Sequence, residues 1–187
     1  IIRLKSSKAV FDLPGFDKGL FSVQDITASK PAKAFGANAG EKILDICAAP
    51  GGKTTQLAEL TSDKATIIAT DINPERLTKV AKNAQRLELR SIIVTHYGDI
   101  KKHAPFDRII VDVPCSNTGV LAKRPEARHR LQKDTVTKAA QIQRQILQTV
   151  SELISPSGTI CYSTCSIAPE ENSSLIADFI SQHHNIQ

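Results

Sequence analysis

The stretch "DICAAPGGKTTQL", Asp45 to Leu57, decides how this chain is read. Its Gly51-Gly52-Lys53-Thr54 core looks like half of the phosphate-gripping loop G-x-x-x-x-G-K-[ST]. The place of the first glycine is taken by Cys47. A side chain there obstructs the backbone conformations that aim successive N–H groups at a phosphate. The dinucleotide pattern G-x-G-x-x-G fails as well, because Gly51 and Gly52 are its only glycines. What remains is an apolar strand, Lys42 to Ile46, running through Pro50-Gly51-Gly52 into a helix. A cofactor loop of a third kind is expected, not that of a P-loop nucleotidase.

Outward from this loop, strands and helices alternate. Further strands are expected at Thr66–Thr70, Ile92–Thr95, Arg108–Val113 and Thr159–Tyr162. Asn73 can cap a helix that Pro74 opens, with Leu77, Val80, Ala81, Ala84 and Leu87 as its buried stripe. Asp134 can cap a long helix bearing Val136, Ala139, Ala140, Ile146, Leu147, Val150 and Leu153, ended by Pro156-Ser157-Gly158. Pro169 opens a last helix with Leu175, Ile176, Phe179 and Ile180 facing inward. Continuous apolar strands between amphipathic helices imply an α/β fold, a mostly parallel sheet with helices on both faces. Residues 1–40, punctuated by glycine and proline, read as an N-terminal extension packed on a core formed by 41–187.

The 187 residues, 41% apolar and 23% charged, suit one globular domain with a substantial core. No run approaches the roughly 18 apolar residues of a membrane span, and the first residues lack a secretory layout. Methionine is absent, so the chain is expected to be a piece of a longer protein. The net charge of +5 permits a polyanionic partner. Its basic residues cluster at Lys123, Arg124, Arg128, His129, Arg130, Lys133 and Lys138, a run that either faces nucleic acid or is simply solvated. The four cysteines, Cys47, Cys115, Cys161 and Cys165, include no C-x-x-C pair. That argues against zinc and against a disulfide framework, so no metal is expected and reduced thiols in a cytoplasmic protein are.

In parallel sheets, ligands bind beyond the carboxyl ends of the strands. Cys47, Asp71, Asp99, Asp112, Cys115 and Cys165 all follow or end strands, so three thiols and three carboxylates gather at one rim. Asp71 is placed to accept hydrogen bonds from the ribose hydroxyls of an adenosine cofactor, and Asp99 to meet the adenine amino group. Cys161 reads as core filler that shares a strand face with Cys165, and Cys47 as a small buried residue of the loop. Lys53 either supports charge near the cofactor or serves only as a helix-start residue.

Five ordered motifs now resemble one family, the RNA (cytosine-5) methyltransferases of the Sun/Fmu and nucleolar-protein type, which use S-adenosyl-L-methionine (AdoMet). "DICAAPGGKT" resembles their cofactor loop, "ATDINPERL" the ribose segment and "GDI" the adenine-side segment. "DVPCSNTGVL" resembles their Pro-Cys motif and "YSTCSIAPEEN" their Thr-Cys motif. "LPGFDKGLFSVQD" and "TGVLAKRPEARHRL" look most like the subfamily that modifies small-subunit ribosomal RNA.

The resemblance implies a Rossmann-like methyltransferase fold and AdoMet bound by Cys47, Ala48, Ala49, Pro50, Gly51, Gly52, Lys53, Asp71, Asp99 and Asp112. It also implies an RNA substrate, ribosomal rather than transfer RNA, and a monomer. Cys165 would attack carbon 6 of cytosine, Asp112 would hold the base edge and Cys115 would help release the product. Relatives usually carry an N-terminal RNA-binding domain and a C-terminal strand pair. Neither is expected here, the second because the sequence stops at "SQHHNIQ". The alternative is an RNA-binding module that keeps the fold without turnover.

Overall fold

A computed structural model describes residues 9–183 and Ile186. Residues 1–8, where the expected extension begins, lie outside the described residues, as do 184, 185 and 187 in the terminal stretch. The strands are β1 (Lys42–Asp45), β2 (Thr66–Ala69), β3 (Ile92–Val94), β4 (Phe106–Asp112) and β5 (Ile154–Ser163). The helices are α1 (Lys30–Ala34), α2 (Gly52–Leu60), α3 (Pro74–Arg86), α4 (Glu126–Arg130), α5 (Thr135–Ser151) and α6 (Ser173–Gln182). All strand pairings are parallel, and the five strands lie in the order β3-β2-β1-β4-β5. Strand order reverses between β1 and β4, which places a ligand crevice above that junction.

Alternation along the strands explains why both faces are covered. Ile43, Ile67 and Ile110 point one way and pack with Ala32 and Phe35 from the α1 segment and Leu57 and Ala58 of α2. Leu44, Ile68, Ile109 and Val111 point the other way, against Ile146, Leu147 and Val150 of α5 and Leu175 and Phe179 of α6. Leu77 and Val80 bring α3 onto Ala69 and onto the loop residues Ala48 and Ala49. Burying an aliphatic side chain contributes about 1.5–3 kcal/mol, so these two layers fix the sheet and hence its rim.

Local signals account for most element ends. Asn73 accepts a hydrogen bond from Arg76 N at 3.0 Å, and Pro74 opens α3 as expected. Asp134 stands before α5 but makes no capping bond; its carboxylate instead meets Lys138 Nζ at 2.6 Å. The long helix ends at Ser151 rather than at Pro156. Residues 154–158 belong to β5, where Ile154 pairs with Phe106 and the register shifts before Thr159 meets Arg108. Pro156 cannot donate to a ladder, but β5 is an edge strand and tolerates it at an irregularity. Pro169 opens a short 3-10 turn, Pro169–Glu171, and α6 starts only at Ser173. Ala81 and Ile180 are exposed, so the apolar stripes of α3 and α6 are narrower than the sequence suggests. Among the described residues no helix is long and apolar enough to cross a membrane.

Candidate active site

The loop after β1 is tied down on every side. Ala48 N donates to Thr70 O at 2.9 Å, and Ala49 N to Asp71 Oδ2 at 3.3 Å, joining the loop to the end of β2. Arg76 Nη2 donates to Ala49 O at 2.8 Å, and Asn83 Nδ2 to Pro50 O at 3.0 Å, so α3 grips its outer edge. Gly51 has φ of 106°, and a Cβ there would stand 3.2 Å from Val80 Cα. The backbone conformation therefore calls for glycine, and a Cβ would in addition press on α3.

Three carboxylates surround this loop in different states. Asp71 is buried, and its Oδ1 accepts from Asn73 N at 2.9 Å. Asp112 Oδ2 meets Lys53 Nζ at 2.6 Å, and its Oδ1 accepts from Ser163 Oγ at 2.7 Å. Asp45, which the sequence reading passed over, is buried at the end of β1 with Thr54 Oγ1 donating to its Oδ2 at 2.7 Å. Its Oδ1 has no hydrogen-bond partner. Burial pushes the Asp45 carboxyl up to about 7; the charges of Asp112 and Asp71 add to this against Thr54 and Lys53. Asp99 lies in the 3-10 segment Tyr97–His103, where a hydrogen bond from Lys102 Nζ at 2.6 Å holds its carboxyl below the usual range.

The cysteines separate into three kinds. Cys47 is pushed up to about 12, by burial first and then by the charges of Asp45, Asp71 and Asp112, which makes it a poor nucleophile. Cys161 packs on the α1–α2 face with its sulfur 3.9 Å from Pro31 O, and burial raises its thiol. It does not share surroundings with Cys165, because the strand alternation stops at Ser163 and Cys165 lies in the loop beyond. Cys115 and Cys165, 50 positions apart, bring their sulfurs within 2.9 Å.

Within that pair the proton is held unequally. Cys115 is drawn down to about 7, chiefly because the Cys165 thiol donates to its thiolate; burial opposes this and the backbone N–H groups of Asn117 and Cys165 assist. Cys165 is raised by the same bond, by burial and by the Cys115 and Asp112 charges, while Arg124 acts in the opposite sense. Cys165 Sγ also lies 3.1 Å from Asn117 Oδ1. Gly119 N donates to Cys165 O at 3.0 Å, and a Cβ on Gly119 would fall 2.7 Å from that oxygen. Only glycine lets the two loops close to this distance. Cys115, Asn117, Arg124 and Glu126 line an open cavity of ≈ 200 Å³ beside the thiols.

The rim as a whole can bind an adenosine-type cofactor on one side and present paired thiols on the other. Residues 32–187 match the family described as 16S rRNA methyltransferase RsmB/F. The chain belongs to that family. It is 40% identical over 190 residues to ribosomal RNA small subunit methyltransferase B of Proteus mirabilis, an alignment covering 100% of this chain and 45% of that protein. Among solved structures it is similar to PH0851, with 32% identity and a TM-score of 0.88 over 95% of this chain and 41% of that one. NSun6 from Pyrococcus horikoshii, solved with SFG, is 30% identical with a TM-score of 0.84, over 94% of this chain and 46% of that one. The chain thus spans less than half the length of these relatives. The Rossmann-like fold of this RsmB/F member is the one expected from its sequence.

Glu171 and Gln143 were also missed by reading the sequence. Both side chains are fully buried, and Gln143 Nε2 donates to Glu171 Oε1 at 2.8 Å. The available signal was a glutamine interrupting the apolar stripe of α5. Glu171 stands in Pro169-Glu170-Glu171, where nothing in the local sequence marks it out. Lys123, in the basic run, pairs with Asp25 at 2.6 Å, and Arg128 is exposed on α4. The Arg130 side chain lies outside the described residues.

Proposed function

We propose that this chain carries the catalytic centre of an RNA methyltransferase that moves a methyl group from AdoMet to carbon 5 of a cytosine, in small-subunit ribosomal RNA. The observation that carries the reading is the pair of sulfurs at 2.9 Å, set at the rim beside the Lys53–Asp112 pair. AdoMet fits the residues present: Asp71 offers carboxylate lone pairs for ribose hydroxyls, and Asp45 Oδ1 is a buried polar atom without a hydrogen-bond partner. Cys47 to Lys53 would cradle it, with Asp71 and Asp99 toward the nucleoside and Asp112 toward the reacting end. When bound, AdoMet supplies an electrophilic methyl group.

Carbon 5 of cytosine is a weak nucleophile until a thiolate adds at carbon 6. Cys165 makes that bond, and its proton has a near acceptor in the Cys115 sulfur. Asp112, steadied by Lys53 and Ser163, accepts a hydrogen bond from the exocyclic amine, and from ring nitrogen 3 once thiolate addition has made that nitrogen basic and it has taken up a proton from solvent. After methylation, carbon 5 still carries a proton that must leave as the Cys165–carbon 6 bond breaks. Cys115, having passed its earlier proton to solvent, accepts that one. The base has to leave its stack to reach the thiols, which favours a loop or an opened helix. Arg124 and Arg128, and Lys123 if it releases Asp25, would supply positive charge for the phosphates of such an RNA.

Incubating the chain with unmodified small-subunit ribosomal RNA and labelled AdoMet, followed by bisulfite mapping, tests this reading. New 5-methylcytosine is expected. RNA binding without any methyl transfer would favour the silent-module alternative.

A further inference from the structure

We infer that Glu171 is a positioning residue that clamps the Pro-Cys loop to the Thr-Cys loop and so sets the separation of the two sulfurs. The inference rests on the methyltransferase reading for its purpose, though not for its geometry. The carboxylate is fully buried. None of the ion pairs among the described residues includes it, so neutral donors alone hold it.

Those donors come from telling places. Oε1 accepts from Ser116 N at 2.9 Å and Gln143 Nε2 at 2.8 Å. Oε2 accepts from Ser116 Oγ and from Ser166 Oγ, the latter at 2.6 Å. Ser116 directly follows Cys115, and Ser166 directly follows Cys165. One carboxylate therefore reaches the residue next to each thiol. Gln143 extends the clamp, since the same Nε2 lies 2.9 Å from Pro114 O, just before Cys115. The Tyr162 hydroxyl sits 2.8 Å from Glu171 O and 3.0 Å from Gln143 Oε1, tying the hub to β5.

A purely structural filler at this position would be better served by an apolar side chain, because burying an unpaired carboxylate is costly. Burial does oppose the charge of Glu171, yet the bonds from Ser116, Ser166 and Gln143 outweigh it and hold the carboxyl below its usual range. Such a fully satisfied polar network specifies one arrangement where apolar packing would allow several. The arrangement it specifies is the meeting of two loops from distant parts of the chain.

The test is the rate at which diamide joins Cys115 to Cys165. The two thiols give up two protons and two electrons, diamide becomes the hydrazine, and peptide mapping locates the new bond. The native chain should cross-link fast. Glu171→Ala should slow the reaction about 10- to 100-fold, the scale of a misplacement near 1 Å. Glu171→Gln should fall between, because its carbonyl can still accept from Ser116 N while its amide cannot accept from Ser166 Oγ. AdoMet affinity and its KM should stay native in both, with the loss confined to kcat, since the hub does not touch the cofactor loop. Should Glu171→Ala fail to fold, the intermediate slowing of Glu171→Gln carries the test, since that variant keeps the direct Ser116–Ser166 and Thr118–Ser166 contacts between the loops. Cross-linking at the native rate in the folded variant would overturn the clamp. A native chain that cross-links fast, slows on Glu171→Ala, yet never binds AdoMet or methylates RNA would instead retire the enzymatic reading and leave the clamp standing.

Discussion

The two halves of the rim are built by opposite strategies. The cofactor loop is continuous in sequence, from Asp45 to Lys53, and its shape follows from a glycine turn, α3 packing and backbone hydrogen bonds to β2. The thiol half has no such local cause. Cys115 and Cys165 meet where two separate loops are joined by the Glu171–Gln143 network, by Ser116 and Thr118 meeting Ser166, and by the close approach at Gly119. Binding a cofactor can rely on one well-formed turn. Placing two thiols against one base requires a tertiary network, and that network should be the more sensitive half to small changes.

The largest effect is therefore expected at Gly119. Gly119→Ala puts a methyl group where only 2.7 Å is available to Cys165 O, so the Thr-Cys loop must move. Turnover should fall about 100-fold, while a calorimetric AdoMet titration stays native. Equal losses in both measurements would erase the distinction between the halves. Next comes Asp71→Asn, which should weaken AdoMet binding about 10-fold, the lower end for losing one charge-assisted hydrogen bond worth roughly 1.5–3 kcal/mol, because the amide keeps one acceptor oxygen. Native affinity in a folded variant would detach Asp71 from the ribose.

The smallest effect sharpens the cofactor half by pH. The Asp45 carboxyl sits at about 7 in the folded chain against an ordinary 3.8. Folding thus favours its protonated form, a stabilisation complete below the unfolded value and lost as pH rises through the folded one. Asp45→Asn keeps the shape and removes the ionisation. Its melting temperature relative to the native chain should rise between about pH 4 and about pH 7 and level off above. Parallel melting curves across that range would mean that Asp45 is ionised at little cost.

The contrast also explains what the sequence discloses. Strand and helix order, the capping by Asn73 and Pro74 and the loop at Gly51 are legible because each depends on neighbours in the chain. So are the strand-end positions of Asp71, Asp112, Cys115 and Cys165. The long β5 was obscured by Pro156 and Gly158, whose turn chemistry gives way to edge pairing with β4. Glu171 and Gln143 were illegible for a different reason: their roles arise from partners 55 and 28 positions away, and no local pattern marks a glutamate as the hub of two loops. Asp45 falls between these cases, visible as the first residue of the loop motif but unusual only once its burial is known.

The roles of the two thiols are the centre of the account, and denaturing electrophoresis of RNA–protein adducts tests them most directly. Cys165→Ala and Cys115→Ala chains, each with AdoMet and unmodified ribosomal RNA, are run beside the native chain. Cys165→Ala should bind AdoMet yet give neither adduct nor product, since nothing remains to attack carbon 6. Cys115→Ala should attack and methylate but stall, leaving a covalent band that survives denaturation. An adduct from Cys165→Ala together with none from Cys115→Ala would contradict the assignment and make Cys115 the nucleophile.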